Sequence, residues 1–116
     1  MYEIDFLTCT MRDVIARSVA CHPSLFAESL ENTARIHHEF CVTTMDKTAT
    51  RIALDMRAAC LAAAVSARDD NVDAIISHGR TSMICAFTAA MKLQCLPRYI
   101  ANEICDRDSE FVALTQ

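Results

Sequence analysis

The sequence has a single glycine, Gly79, only two prolines and no tryptophan. A β-sheet protein of this length needs several tight turns, and such turns depend on glycine and proline. Their scarcity therefore disfavours a sheet protein and favours long helices joined by few connections. Apolar residues make up 53% of the chain, above the usual fraction, so the helices have ample material for a core.

Export signals, long apolar runs and paired cysteine motifs are also missing. The first residues lack the basic segment of a signal peptide. The longest uncharged stretch in a strongly apolar segment, residues 81–91, is about half the length of a membrane-spanning helix. Seven cysteines form an odd set without any CxxC spacing, which argues against a disulfide framework. We expect a soluble cytoplasmic protein with reduced thiols and no membrane partner.

The net charge of −4 is distributed unevenly along the chain. Residues 1–46 carry seven acidic and three basic side chains, residues 47–100 carry seven basic and four acidic ones, and residues 101–116 carry four acidic and one basic. The basic middle segment is too sparse to indicate nucleic-acid binding by charge alone. A helix that packs between acidic neighbours accounts for it equally well.

Helical periodicity and caps predict an all-α fold in one domain, residues 1–116. The expected long helices cover about 10–21, 23–42, 47–68 and 81–96, with a short helix ending at His78 and another from Pro97 to about Cys105. These form a compact helical bundle of four to five helices, with a central buried hairpin of helices 3 and 4. Gly79 is expected as a left-handed C-terminal cap. The tail, about 106–116, is expected to be mobile or to dock through its apolar residues.

The third and fourth helices carry more apolar surface than a small domain can hide. The fourth, with MICAFTAAMKLQCL, is apolar on nearly every side, and the third has two apolar sides. Since a chain of this size has a limited interior, the surplus predicts a homodimer or a complex with another protein.

The segment IHHEFC, residues 36–41, brings two histidines, a glutamate and a cysteine together in sequence. On a helix, His37 and Cys41 share one apolar face, whereas the other polar residues do not join them. Because a structural zinc site needs four ligands and the remaining candidates are scattered, we expect neither a metal nor a cofactor. A metal- or thiol-dependent protein that uses His37 and Cys41 is an alternative.

Residues 61–80, LAAAVSARDDNVDAIISHGR, are similar in spacing to a helix-turn-helix unit. Such a unit implies a DNA-binding regulator, which is the other alternative. Two features depart from the motif. Ser66 stands where the turn glycine is usual, and the acids Asp69, Asp70 and Asp73 would face phosphate oxygens.

The favoured interpretation is a small non-enzymatic interaction module, since no convergent set of catalytic groups is visible. We expect a homodimer that acts as an adaptor or inhibitor of a larger partner protein, and nucleic acid is not expected as a partner. The predicted interaction surface consists of His37, Cys41, Phe26, Met56 and Ala63.

Overall fold

A computed structural model describes residues 8–114, which fold into seven helices and contain no strand. The predicted all-α class is therefore confirmed. The helices are α1 (Met11–Cys21), α2 (Pro23–Thr43), α3 (Lys47–Arg68), α4 (Val72–Ser77), α5 (Arg80–Leu93), α6 (Arg98–Arg107) and α7 (Ser109–Ala113). The count exceeds the expected four to five: the short helices predicted before His78 and after Pro97 are present as α4 and α6, and the C-terminal residues add α7. Within this part of the chain, no helix is long and apolar enough to cross a membrane.

Local sequence signals explain where the long helices begin. Thr10 and Asp13 form a capping box at α1, in which each side chain accepts a hydrogen bond from the backbone N–H of the other. Pro23 occupies the first turn of α2, where its missing N–H costs nothing. Asp46 caps α3 by accepting from Thr48 N and Ala49 N. The predicted range of α3 is confirmed at both ends.

The two longest helices, α2 and α3, form an antiparallel hairpin closed by residues 44–46 and make the most extensive helix contact. Helix α5 packs against α3 and α2, and α1 packs on α5. The predicted central hairpin of the third and fourth long helices is not confirmed. Helices α3 and α5 contact each other, but α4 lies between them in the chain and α3 has its largest contact with α2. Seven residues of α5 are buried: Ser82, Met83, Cys85, Ala86, Phe87, Ala89 and Ala90.

The C-terminal helices are tied to α1 by polar contacts. Asp108 is 4% exposed. Its carboxylate accepts from Met11 N at 2.8 Å and from Phe111 N at 2.9 Å, so one side chain caps both α1 and α7. Arg12 forms ion pairs with Asp73 of α4 and Glu110 of α7. Residues 106–114 are thus helical and docked over most of their length, whereas 115 and 116 lie outside the described residues.

Gly79 lies between α4 and α5, where the backbone turns sharply. It has φ +107° and ψ −169°, a region that is open almost only to glycine. Its N–H donates to Ile76 O at 3.2 Å and its carbonyl accepts from Met83 N, so this residue ends one helix and begins the next. A positive φ was expected here, but the observed conformation is extended rather than left-handed helical.

Candidate interaction surface

The hairpin of α2 and α3 extends beyond the helix that covers it. At 1.5 Å per residue, α2 and α3 are each about 32 Å long and α5 is about 21 Å long. The connected core cluster accordingly reaches Ala34 on α2 and Met56 on α3, and nearer the closed end of the hairpin only Ala53 is buried. About two helical turns of the inner face of the hairpin are therefore left without a covering helix.

This uncovered face forms an apolar groove. Ile36, Phe40 and Ile52 are exposed by 63%, 46% and 58%, although their side chains are large and apolar. The groove has a volume of about 400 Å³. Its lining consists of Ile36, His37, Phe40, Ala49, Ile52 and Ala53. Burial of such side chains is favourable by about 25 cal/mol per Å² of apolar surface, so the groove is a strong site for an apolar ligand surface.

Opposite charges flank the groove. Glu39 immediately precedes Phe40 on α2, and Arg51 immediately precedes Ile52 on α3. Both side chains belong to exposed residues, and neither takes part in an ion pair among residues 8–114. Arg35 lies one turn before Glu39 on α2 and Asp55 one turn after Arg51 on α3, so each side of the hairpin carries exposed charges of both signs.

A second apolar surface lies on another side of α3. Leu54, Leu61 and Val65 are exposed by 46%, 37% and 61%. Their spacings of seven and four residues place them in one line along the helix. We call this line the α3 stripe. It is continuous enough to pack against one helix of another protein.

The five residues of the predicted interaction surface occupy different environments. His37 lines the groove. Cys41 is half-buried, and its thiol donates to Thr50 O at 3.7 Å across the hairpin. Met56 is half-buried against the core at the inner end of the groove. Phe26 and Ala63 are completely buried in the core, which leaves them no exposed area for a partner.

Sequence reasoning missed the main groove residues, because the apolar arc of α2 is broader than the surface that α5 covers. Periodicity places Ile36 and Phe40 on the same apolar arc as Phe26, but only Phe26 is buried. On α3, Ile52 shares an apolar side with the half-buried Met56 but is exposed. A comparison of the predicted helix lengths could have revealed these residues, because the second and third helices are predicted to be longer than the fourth.

The segment IHHEFC does not assemble a metal site. No three His, Cys, Asp or Glu side chains in the described range approach closely enough to share an ion. His37 faces the groove, whereas the Cys41 thiol is engaged with the backbone of α3. The two residues thus lie on one side of α2 without further ligands from that set.

The segment similar to a helix-turn-helix forms the end of α3, a turn and the six residues of α4. Asp69 and Asp70 are exposed in the turn, and Asp73 on α4 pairs with Arg12. Helix α4 has no basic residue, and Ile75 and Ile76 are buried against the core. The surface that would meet DNA is thus acidic, which opposes contact with phosphates.

The groove and the α3 stripe are therefore the surface features that call for a functional explanation. Both are apolar, and both lie on the hairpin that contributes the longest helices. Comparisons with protein-family models, curated proteins and solved structures find no match to this chain.

Proposed function

We propose that this protein is a small non-enzymatic interaction module that forms a homodimer through the groove. In this proposal the dimer acts in the cytoplasm as an adaptor or inhibitor of a larger protein. The observation that carries the proposal is the uncovered inner face of the hairpin, with Ile36, Phe40 and Ile52 exposed. Large contiguous apolar surfaces are rare on monomeric proteins and are typical of interaction sites.

A second copy of the chain fits this surface by symmetry and charge. In a two-fold dimer the same patch is used by both copies, and when the axis runs along the hairpin the α2 rim of one copy faces the α3 rim of the other. Glu39 then meets Arg51 of the second copy twice, once on each side of the axis. This pairing of opposite charges favours association at the groove.

The α3 stripe remains available in such a dimer, because it points away from the groove. We propose it as the surface for the larger partner. Leu54, Leu61 and Val65 have the spacing with which an amphipathic helix packs on another helix. Each dimer would present two copies of this surface.

The proposal is tested by measuring the mass of the protein in solution. Light scattering of the wild type at micromolar concentrations should give twice the chain mass of 12.9 kDa. Ile52→Glu should give the monomer mass, because it places an unpaired charge in the apolar interface. Val65→Glu is the matched control: it changes a β-branched residue of the same helix that is exposed to a similar degree, 61% against 58%. It should leave the dimer intact.

The rim charges provide a second, independent readout. Glu39→Lys should weaken the dimer, and the double variant Glu39→Lys with Arg51→Glu should restore it. A stable monomer of the wild type, or a dimer lost in Val65→Glu but kept in Ile52→Glu, would refute the use of the groove. Co-purification tests the stripe. A larger partner that binds the α3 stripe should co-purify with the wild type and with Ile52→Glu, but not with Val65→Glu.

A further inference from the structure

Three sulfur atoms of α3 and α5 meet beneath the inner end of the groove. The Cys85 Sγ lies 4.0 Å from Met56 Sδ. The Cys60 thiol is close enough to the Cys85 thiol to interact with it electrostatically. Met56 and Cys60 are four residues apart on α3 and therefore share one side of that helix. Cys60 is fully buried, Cys85 is 6% exposed and Met56 is half-buried, so the cluster lies at the boundary of the core.

The geometry points to a binding site for one Cu(I) ion formed by Met56, Cys60 and Cys85. A bond between a thiolate and a metal ion is about 2.3 Å long. Three sulfur atoms at that distance around one ion in a plane are about 4.0 Å from each other, since the separation is the bond length multiplied by √3. The separation of Cys85 Sγ and Met56 Sδ has this value. The helices thus hold two of the donors in contact, at a separation that the loaded site can keep.

The chemistry of the donors selects the ion. Thiolates and thioethers are soft ligands that favour Cu(I), whereas Zn²⁺ in structural sites takes four ligands. The third donor is a methionine, which explains why no metal site is formed by His, Cys, Asp and Glu side chains alone in the described part of the chain. Burial among apolar residues keeps water from adding a fourth ligand and keeps the thiols away from oxidants.

Binding replaces S–H bonds with Cu–S bonds and involves no electron transfer. Two protons pass to solvent, and two thiolate bonds and one thioether bond form. The positive charge of the ion neutralises one of the two thiolate charges. This lowers the cost of placing the two thiolates in the buried site.

The groove supplies a route to this site. Ile52 and Ala53 line the groove and precede Met56 by one helical turn on the same side of α3. Met56 is the half-buried member of the cluster, and its thioether is therefore the first ligand that an arriving ion meets.

Titration of the reduced protein with Cu(I) in competition with bicinchoninate tests the site. The experiment uses the variant Cys21→Ser with Cys95→Ser, which removes the exposed thiols that could bind copper nonspecifically. One Cu(I) should bind per chain with release of two protons, and X-ray absorption should report three sulfur neighbours. Met56→Leu in this background should weaken binding about tenfold or more, since even outer-shell partners of a metal are worth 10–100-fold. Its sulfur count should fall to two.

Met91→Leu is the matched control, because Met91 is also half-buried against the core but lies outside the cluster. It should bind Cu(I) as the background protein does. Leucine has nearly the volume of methionine, so both variants should fold, which circular dichroism verifies. Equal affinity of the Met56→Leu and Met91→Leu proteins, or binding that survives Cys60→Ala with three sulfur neighbours, would overturn the assignment. The site and the dimer are separate proposals, since Ile52→Glu should yield a monomer that still binds Cu(I).

Discussion

Replacement of Asp108 by alanine should destabilise the protein more than any surface substitution. The carboxylate of Asp108 accepts hydrogen bonds from the first amide of α1, Met11 N, and from Phe111 N in α7. Met11 is fully buried and Asp108 is 4% exposed, so water cannot replace the lost acceptor at the α1 amide. The substitution therefore leaves a buried donor unsatisfied and removes the caps of two helices.

The expected magnitude follows from these two contacts. A hydrogen bond to a charged group contributes about 1.5–3 kcal/mol, and a lost N-cap costs about 0.5–2 kcal/mol. Part of this is recovered, because the variant no longer buries a carboxylate. We expect a net loss of about 2–4 kcal/mol in the free energy of unfolding, which is a lowering of the urea midpoint by about 1–2 M.

Urea denaturation monitored by circular dichroism provides the measurement, at one fixed protein concentration because dimer formation would add to stability. Asp106→Ala is the control: Asp106 lies two residues earlier and is exposed. Its loss should change the free energy of unfolding by less than about 0.5 kcal/mol. Asp108→Asn retains one acceptor oxygen and should fall between the two. If Asp108→Ala unfolds within 0.5 kcal/mol of the wild type, by the same scale, the double cap does not stabilise the fold.

Two further predictions concern the backbone at Gly79 and the ion pair of α2 with α3. Gly79→Ala should lower the free energy of unfolding by about 1–3 kcal/mol. The added Cβ has open space, but φ +107° strains any residue other than glycine. A Gly79→Ala variant as stable as Ser77→Ala would contradict this. The pKa of Glu31 should lie below its ordinary value because Arg68 donates two hydrogen bonds to its carboxylate, and NMR titration should show it rise in Arg68→Gln. Since the pKa of Glu31 is lower in the folded state, the ion pair stabilises the protein above the unfolded-state pKa, and this stabilisation is lost as pH falls through the folded-state pKa. An unchanged titration midpoint of Glu31 in Arg68→Gln would exclude the pairing.

Helix positions could be predicted where a local signal fixes them. The bounds of α3 follow from the Asp46 cap and the alanine-rich interior, and the turn at 69–71 follows from its three polar residues. Both signals act within a few residues and do not depend on the rest of the fold. The docking of the C-terminal helices depended instead on Asp108 reaching α1, a contact between residues 97 positions apart. No local pattern announces such a contact.

The exposed and buried parts of a helix face could not be separated from sequence for a related reason. Periodicity shows that Phe26, Ile36 and Phe40 all lie on or beside the apolar side of α2, but it does not show where the covering helix ends. That limit is set by the length and crossing position of α5, which are tertiary features. The groove is therefore a consequence of mismatched helix lengths rather than of any motif.

The convergence of the sulfur atoms has the same origin. Cys60 and Cys85 are separated by 25 positions and show no metal-binding spacing. They meet because alanine dominates the inner side of α3, and small side chains let α5 approach closely enough for its thiol to reach Met56. The close approach creates the sulfur cluster, and the shortness of α5 leaves the groove beside it. A longer α5 would cover both the groove and the access to Met56, so extension of that helix should remove self-association and slow Cu(I) entry together, whereas Ile52→Glu removes self-association alone.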